Sequence, residues 1–256
     1  TLAHGGSQNW GSAFLQKRHQ GCPIGNASVH PLDAKVGHIE NSRDSFSQQR
    51  AQLQMLRTLN QSSMIRGMNE QPWKEKIENF EMAFRMQTSI PGVQDISNES
   101  EATKQLYGLD QKISENFGTQ CLIARRFLEQ GVRFVQVTHS ALKAQWDQHG
   151  NLRRDHAERA AQVDKPIAGL LSDLKQRGML EDTLVVWAGE FGRTPTVQGP
   201  KFDGRDHNPH GFTAWLAGAG VRPGFKYGST DEFGYYAEKD PVHVHDFHAT
   251  LLAFLG

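Results

Sequence analysis

Acids and imidazoles gather in three short stretches in the second half of the chain. Trp146-Asp147-Gln148-His149-Gly150-Asn151 offers a carboxylate and an imidazole two residues apart. Gly189-Glu190-Phe191-Gly192-Arg193-Thr194-Pro195 offers an acid directly after an apolar run, then a guanidinium. Gly204-Arg205-Asp206-His207-Asn208-Pro209-His210-Gly211 places three potential ligands close together in a stretch with no obvious packing use for them. Carboxylate oxygen and neutral imidazole nitrogen together suit Zn, Mn or a related divalent ion at ~2.0–2.2 Å. The candidate metal ligands are therefore Asp147, His149, Glu190, Asp206, His207 and His210. Arg193 has two readings: its planar fork binds a substrate oxyanion, or it pairs with a neighbouring acid. The adjacent glycines let backbone approach an ion or a phosphate-like group closely. His243, His245 and His248 flank the start of the last helix, where capping or support fits them better than ligation.

These stretches need elements to hold them. Thr183-Leu184-Val185-Val186-Trp187-Ala188 is a continuous apolar run of the kind buried on both faces of a sheet. Val132 to Val137 and Phe212 to Ala217 are two further candidate strands. Helical patterns alternate with them. One carries Cys121, Leu122, Ala124, Phe127 and Leu128 and stops at Gly131. Another carries Ala160, Val163, Ile167, Leu170, Leu171 and Leu174, with Pro166 as a kink or restart, and stops at Gly178. The last opens at Asp246, a good N-cap residue, and runs through Leu251, Leu252 and Leu255. Strands alternating with helices predict an α/β fold with a mostly parallel sheet and helices on both faces. Ligands bind such sheets at the carboxyl ends of the strands, so Asp147, Glu190 and His207 are expected to converge at one sheet edge.

Earlier residues carry no comparable constellation. Residues 1–43 are rich in Gly, Asn and His and read as an irregular wrapping segment. Residues 44–108 predict a helical hairpin insertion, with 109–256 forming the α/β core. The hairpin's first helix covers 44–69, with Leu53, Leu56 and Leu59 on one side. A second opens at Pro72 and lines up Trp73, Ile77, Phe80 and Phe84 before Ile90-Pro91-Gly92 breaks it. A short helix then ends near Gly108.

Composition excludes several classes of partner. Lys plus Arg and Asp plus Glu number 28 each, so no net field recruits nucleic acid or an anionic membrane. No apolar run approaches the ~18 residues that span a bilayer. At 256 residues the chain suffices for one large domain or two small ones. It opens at Thr1 without a charged or apolar leader, a start that processing or truncation explains. Cys22 and Cys121 are expected as buried or free thiols rather than as a disulfide.

Longer motifs carry a family resemblance. TLVVWAGEFGRTPTVQGPKFDGRDHNPHGFTAWLAGAGVR at 183–222, WDQHGNL at 146–152 and HVHDFHATLLAFLG at 243–256 resemble the bacterial sulfatase-like domain-of-unknown-function 1501 family. So do CLIARRFLEQGVRFVQV at 121–137, DKPIAGLLSDLKQRG at 164–178 and NWGSAFLQKRHQG at 9–21. The resemblance implies an alkaline phosphatase-like core incomplete at its N-terminus, and a metal-dependent hydrolase of sulfate or phosphate esters. It implies Zn, Mn or Ca as the divalent ion, a small-molecule or polysaccharide ester as substrate, and an exported or periplasmic location. By the same resemblance, Asp147 and His149 look like the superfamily's first Asp…His pair, and His207 like its last metal histidine. Glu190 and Phe191 stand where an Asp-His pair follows a hydrophobic strand, so Phe191 removes one ligand that Asp206 or His210 could replace. Neither Cys22 nor Cys121 sits in the sulfatase Cys-x-(Pro/Ala)-x-Arg pattern. The resemblance puts the nucleophile ahead of Asn9, so these residues alone are expected to be hydrolytically inactive. Phe191 favours a rival reading, a non-catalytic metal- or ligand-binding protein that keeps the fold, while Asp147, His149, Glu190 and His207 favour the enzyme.

Overall fold

The computed structural model describes residues 10–15, 19–26, 28–37, 39, 41–64, 71–139 and 146–256. Parts of the expected wrapping segment, the 65–69 end of the first expected helix and the Trp73 side chain lie outside the described residues. The chain divides into two units, residues 1–99 with 126–142, and residues 100–125 with 143–256.

In the first unit, α1 (Phe46–Met64) and α2 (Gln71–Gln94) pack together. Phe46 stacks on Phe84 at 4.2 Å, and Arg57 pairs with Glu81. The expected break at Ile90-Pro91-Gly92 does not occur, because α2 runs through Pro91 to Gln94. A proline in a helix interior costs about 3 kcal/mol through its missing N–H and its ring clash. The last carbonyls of a helix lack intrahelical donors, and at the end of α2 a side chain serves two of them. Arg126 donates to the carbonyls of Gly92 and Val93 at 2.9 and 2.7 Å and pairs with Glu99. Val132 to Val137 forms no strand, and Phe134 is 75% exposed. A β-period pattern becomes a strand only beside a ladder partner, and none pairs with this segment among the described residues.

The second unit holds α3 (Glu101–Leu106), most of α4 (Glu115–Glu129), α5 (Leu152–Gln176) and α6 (Val244–Leu255). The Ser100 hydroxyl caps α3 by accepting from the Thr103 N–H at 3.0 Å. Tyr107, Leu122 and Leu174 are fully buried. A charged knot sits among them: the Tyr107 hydroxyl donates to Asp173 Oδ2 at 2.9 Å, Arg125 lies 3.0 Å from the same oxygen, and Arg177 donates to Oδ1 at 2.7 Å. α5 continues through Pro166. A Cβ at Gly169 would overlap the Leu106 carbonyl, so glycine there permits the close approach of α5 to the end of α3. α6 is capped by His243 rather than Asp246. Asp246 instead sits inside the first turn, where its carboxylate accepts from the His243 N–H at 3.3 Å in a capping box. No described helix is long and apolar enough to cross a membrane.

The mostly parallel sheet is not found. The described strands form three separate two-stranded sheets, all antiparallel: β1 (Val185–Trp187) with β4 (Trp215–Ala217), β2 (Gly192–Gln198) with β3 (Gly204–Asn208), and β5 (Ser229–Thr230) with β6 (Ala237–Lys239). The apolar run after Thr183 does hold a strand, but its partner runs the opposite way and Val186 is 38% exposed. The stretches 189–195 and 204–211, assigned to none of the candidate strands, contribute to β2 and β3 of a hairpin. Residue types at a strand do not record the direction of its neighbour, which a residue far along the chain supplies.

Candidate metal centre

The β2–β3 hairpin is the frame of the site. Its register sets Arg193 opposite His207 and Gln198 opposite Gly204. Directly paired residues in an antiparallel ladder project to the same face, so Arg193 and His207 face one side together. Between these pairs the register shifts, with Thr194, Pro195 and Thr196 facing the single residue Asp206. Proline has no N–H to offer a ladder, and a bulge is where a strand tolerates it. The Thr194 hydroxyl accepts from the Asp206 N–H at 3.1 Å, replacing the ladder bond that the bulge removes.

A strap carrying Asp147 and His149 lies across this hairpin. The Arg205 N–H donates to the Gln148 carbonyl at 3.0 Å, and the Leu152 N–H donates to the Asp203 carbonyl at 2.9 Å. A Cβ on Gly204 would overlap the His149 carbonyl group, so the strap reaches this depth only over a glycine. Trp146, just before the strap, packs edge-on against His156 of α5 at 5.3 Å and Trp187 of β1 at 6.5 Å.

Three donor atoms meet where the strap crosses. Asp147 Oδ1 is 2.8 Å from His207 Nε2 and 2.9 Å from His149 Nε2, and the two imidazole nitrogens are 3.2 Å apart. Arg193 Nη2 reaches the same Asp147 oxygen at 2.7 Å, while the buried Arg193 Nη1 has no hydrogen-bond partner among the described residues. Hydrogen bonding from His207, helped by Arg193 and by the charge of His149, holds the Asp147 carboxyl down to about 2 against the opposing effect of desolvation. Phe191 lies against the His207 ring at 4.4 Å and beneath the Arg193 guanidinium at 5.8 Å, walling one side. The Asp147, His149 and His207 side chains are 36%, 41% and 44% exposed, so the centre opens to solvent.

Asp147, His149 and His207 form a group that could hold a metal ion. The other candidates stand apart from it. Glu190 is exposed just before β2. Asp206 follows the alternate face of β3, and its carboxylate accepts from the His207 N–H at 2.7 Å. His210 lies beyond β3 against Tyr235 and Tyr236, at 6.4 and 5.3 Å between ring centres. Arg193 pairs with an acid, as one of its two readings expects, and its buried Nη1 is left without a partner among the described residues. Sequence reasoning missed Gln198, whose amide oxygen lies 2.6 Å from His149 Nδ1. An amide in a polar strand is chemically ordinary, and only the hairpin register places it here. Cys22 is exposed and Cys121 buried, and both thiols are free.

This constellation of one carboxylate and two imidazoles, beside an arginine with one buried, unpartnered donor, defines a candidate metal centre. The chain belongs to the family described as a protein of unknown function, DUF1501, whose model matches residues 1–256. No curated protein and no solved structure matches it.

Proposed function

We propose that Asp147, His149 and His207 hold one divalent ion in a hydrolase of sulfate or phosphate esters, with Arg193 binding the anionic group. The observation that carries the reading is the size of the donor triangle, with edges of 2.8, 2.9 and 3.2 Å. Ligands at ~2.1 Å from one ion stand about 3.0 Å apart at right angles and about 3.4 Å apart at tetrahedral angles. The triangle sits nearest the right-angled case, three ligands on one face of an ion that keeps other positions open. Two nitrogens and one oxygen suit Zn, Mn or Fe better than Ca, which prefers an all-oxygen shell.

A divalent ion in this place would supply Lewis-acid polarisation of an ester oxygen and a lowered pKa for water. The residues of the chain do the rest. Arg193 keeps Nη2 on Asp147, and its unpartnered Nη1, buried as the site stands, would be uncovered on binding to meet an oxygen of the sulfuryl or phosphoryl group, where negative charge builds in the transition state. Phe191 holds the His207 ring and shields the arginine from water on one side. The motif resemblance to sulfatase-like proteins supports an oxyanion ester as the substrate class.

Metal content and hydrolysis of 4-nitrophenyl sulfate and 4-nitrophenyl phosphate, measured on the full-length protein, test this reading. One ion per chain is expected, lost in His207→Ala, with turnover of one ester that falls in Arg193→Ala while the ion stays. Stoichiometric metal with no turnover of either ester would leave a metal-binding protein and end the hydrolase reading. Absence of bound metal at micromolar Zn and Mn would end both.

A further inference from the structure

We infer that Gln198 is a positioning residue that fixes the tautomer of His149, so that Nε2 faces the ion with its lone pair free. The inference rests on the metal site proposed above and assigns a role to a residue that is not itself a ligand. Gln198 closes β2 opposite Gly204, and its side chain is half-buried beside the strap. Its amide oxygen lies 2.6 Å from His149 Nδ1. A carbonyl oxygen only accepts, so the single proton of a neutral imidazole must sit on Nδ1.

The consequence reaches the other side of the ring. With its proton given to Gln198, His149 turns an unprotonated Nε2 toward Asp147 Oδ1 at 2.9 Å and His207 Nε2 at 3.2 Å. A lone pair against the carboxylate oxygen at that separation is unfavourable unless a metal ion, the His207 N–H or a second proton on the ring intervenes. A histidine placed only to hydrogen-bond Asp147 would need the opposite tautomer, with its proton on Nε2. Of the two neutral forms, the Gln198 contact therefore selects the one whose Nε2 lone pair is available to an ion. Metal-bound histidines generally donate their second N–H to an oxygen that sets ring orientation and basicity, and losing that oxygen costs about 10- to 100-fold in metal affinity.

The test compares wild type, Gln198→Leu and Gln198→Glu in the full-length protein. Nitrogen-15 NMR of the His149 ring, without metal and at a pH where imidazole is neutral, reads the tautomer. Zn affinity is read separately by competition with a chromophoric chelator. Wild type is expected to carry its proton on Nδ1. Gln198→Leu should lose that preference and bind Zn about 10- to 100-fold more weakly. Gln198→Glu, which retains an acceptor oxygen, should restore both properties, an outcome that mere packing would not produce. Zn binding by a wild type protonated on Nε2, or unchanged affinity in Gln198→Leu, or a Glu variant behaving like Leu, would overturn the role of Gln198 while leaving the metal site standing. Failure of the wild type to bind metal would overturn both.

Discussion

Gly204→Ala tests the site without touching a ligand. Gly204 pairs with Gln198 in the hairpin, and an added Cβ would overlap the His149 carbonyl and crowd the Gly150 nitrogen. Carbon atoms in contact rest ~3.5–4.0 Å apart, whereas the added Cβ would lie 2.1 Å from the His149 carbonyl carbon, so the strap would have to lift by about 1.4 Å or more or the hairpin bend away. Metal sites tolerate deviations of only ~0.2 Å in ligand distance, so a displacement of that size removes His149 from the ligand set. The affinity should then fall by at least the 10- to 100-fold seen when a ligand loses its support, equivalent to about 1.4–2.8 kcal/mol. Stability should fall as well, by about 1–3 kcal/mol, the usual range for forcing a methyl group into occupied space. Gly131→Ala is the control, because nothing lies within 4 Å of its added Cβ. That variant should lose only the modest free energy of holding alanine at a φ of 78° and should bind Zn as wild type does. Chelator competition gives the affinity and urea unfolding the stability. Gly204→Ala with wild-type Zn affinity would show that the strap is not held at this depth or that His149 does not ligate.

Three further outcomes follow from the geometry. Asp173→Ala should destabilise the protein by about 3–5 kcal/mol in urea unfolding, because it leaves the 2%-exposed Arg125 side chain without its buried acid; a loss under about 1 kcal/mol would mean the knot relaxes into water. The Asp147 carboxyl should titrate near 2 in the metal-free protein and climb toward the ordinary ~3.9 in His207→Ala, since His207 is its main support. A depressed folded pKa gives stability that is whole above the unfolded value and fades as pH falls from ~4 toward 2, so the variant should show a weaker fade across that window; carbon-13 NMR of the carboxyl checks the pKa, and an unmoved midpoint contradicts the assignment. The Cys121 thiol, pushed up to about 12 by burial, should resist a thiol reagent until the protein unfolds, whereas exposed Cys22 should react in the native state; a native count of two reactive thiols would place Cys121 at the surface.

Much of the helical framework was legible because apolar spacing at 3.6 residues is a local property. α1, α2, α4, α5 and α6 all fall on segments picked out by such stripes or by their stop signals. Pro91 shows where local reading fails, because α2 runs through it to Gln94 although a proline usually marks a helix boundary. The sheet failed as well. The run from Thr183 to Ala188 fits a strand buried in a parallel sheet and equally a short strand in an antiparallel pair, and Ala217 to Trp215 decided between them. In the site, residue type alone picked out six candidate ligands, and Asp147, His149 and His207 are the three that the structure brings into one group. Asp206 and His207 look equally suited as ligands, yet strand alternation sends them to opposite faces, and the phase of that alternation depends on the ladder with β2. Gln198 was beyond reach for the same reason.

The bulge in β2 bears on how this site can change over evolutionary time. On either side of it the ladder is regular, with Gly192 and Arg193 paired at one end and Val197 and Gln198 at the other. Side-chain direction repeats every two residues along a strand, so one residue added or removed within a regular stretch turns everything beyond it to the wrong face. At Thr194 to Thr196 the phase is already interrupted, and the Thr194 hydroxyl rather than a matched backbone carbonyl meets the Asp206 N–H. Length variation there can be absorbed by the interruption, leaving Arg193 anchored at one end and Gln198 at the other. The hairpin thus has one segment where the chain can be edited, and its two flanks are where the ligand geometry is inherited intact.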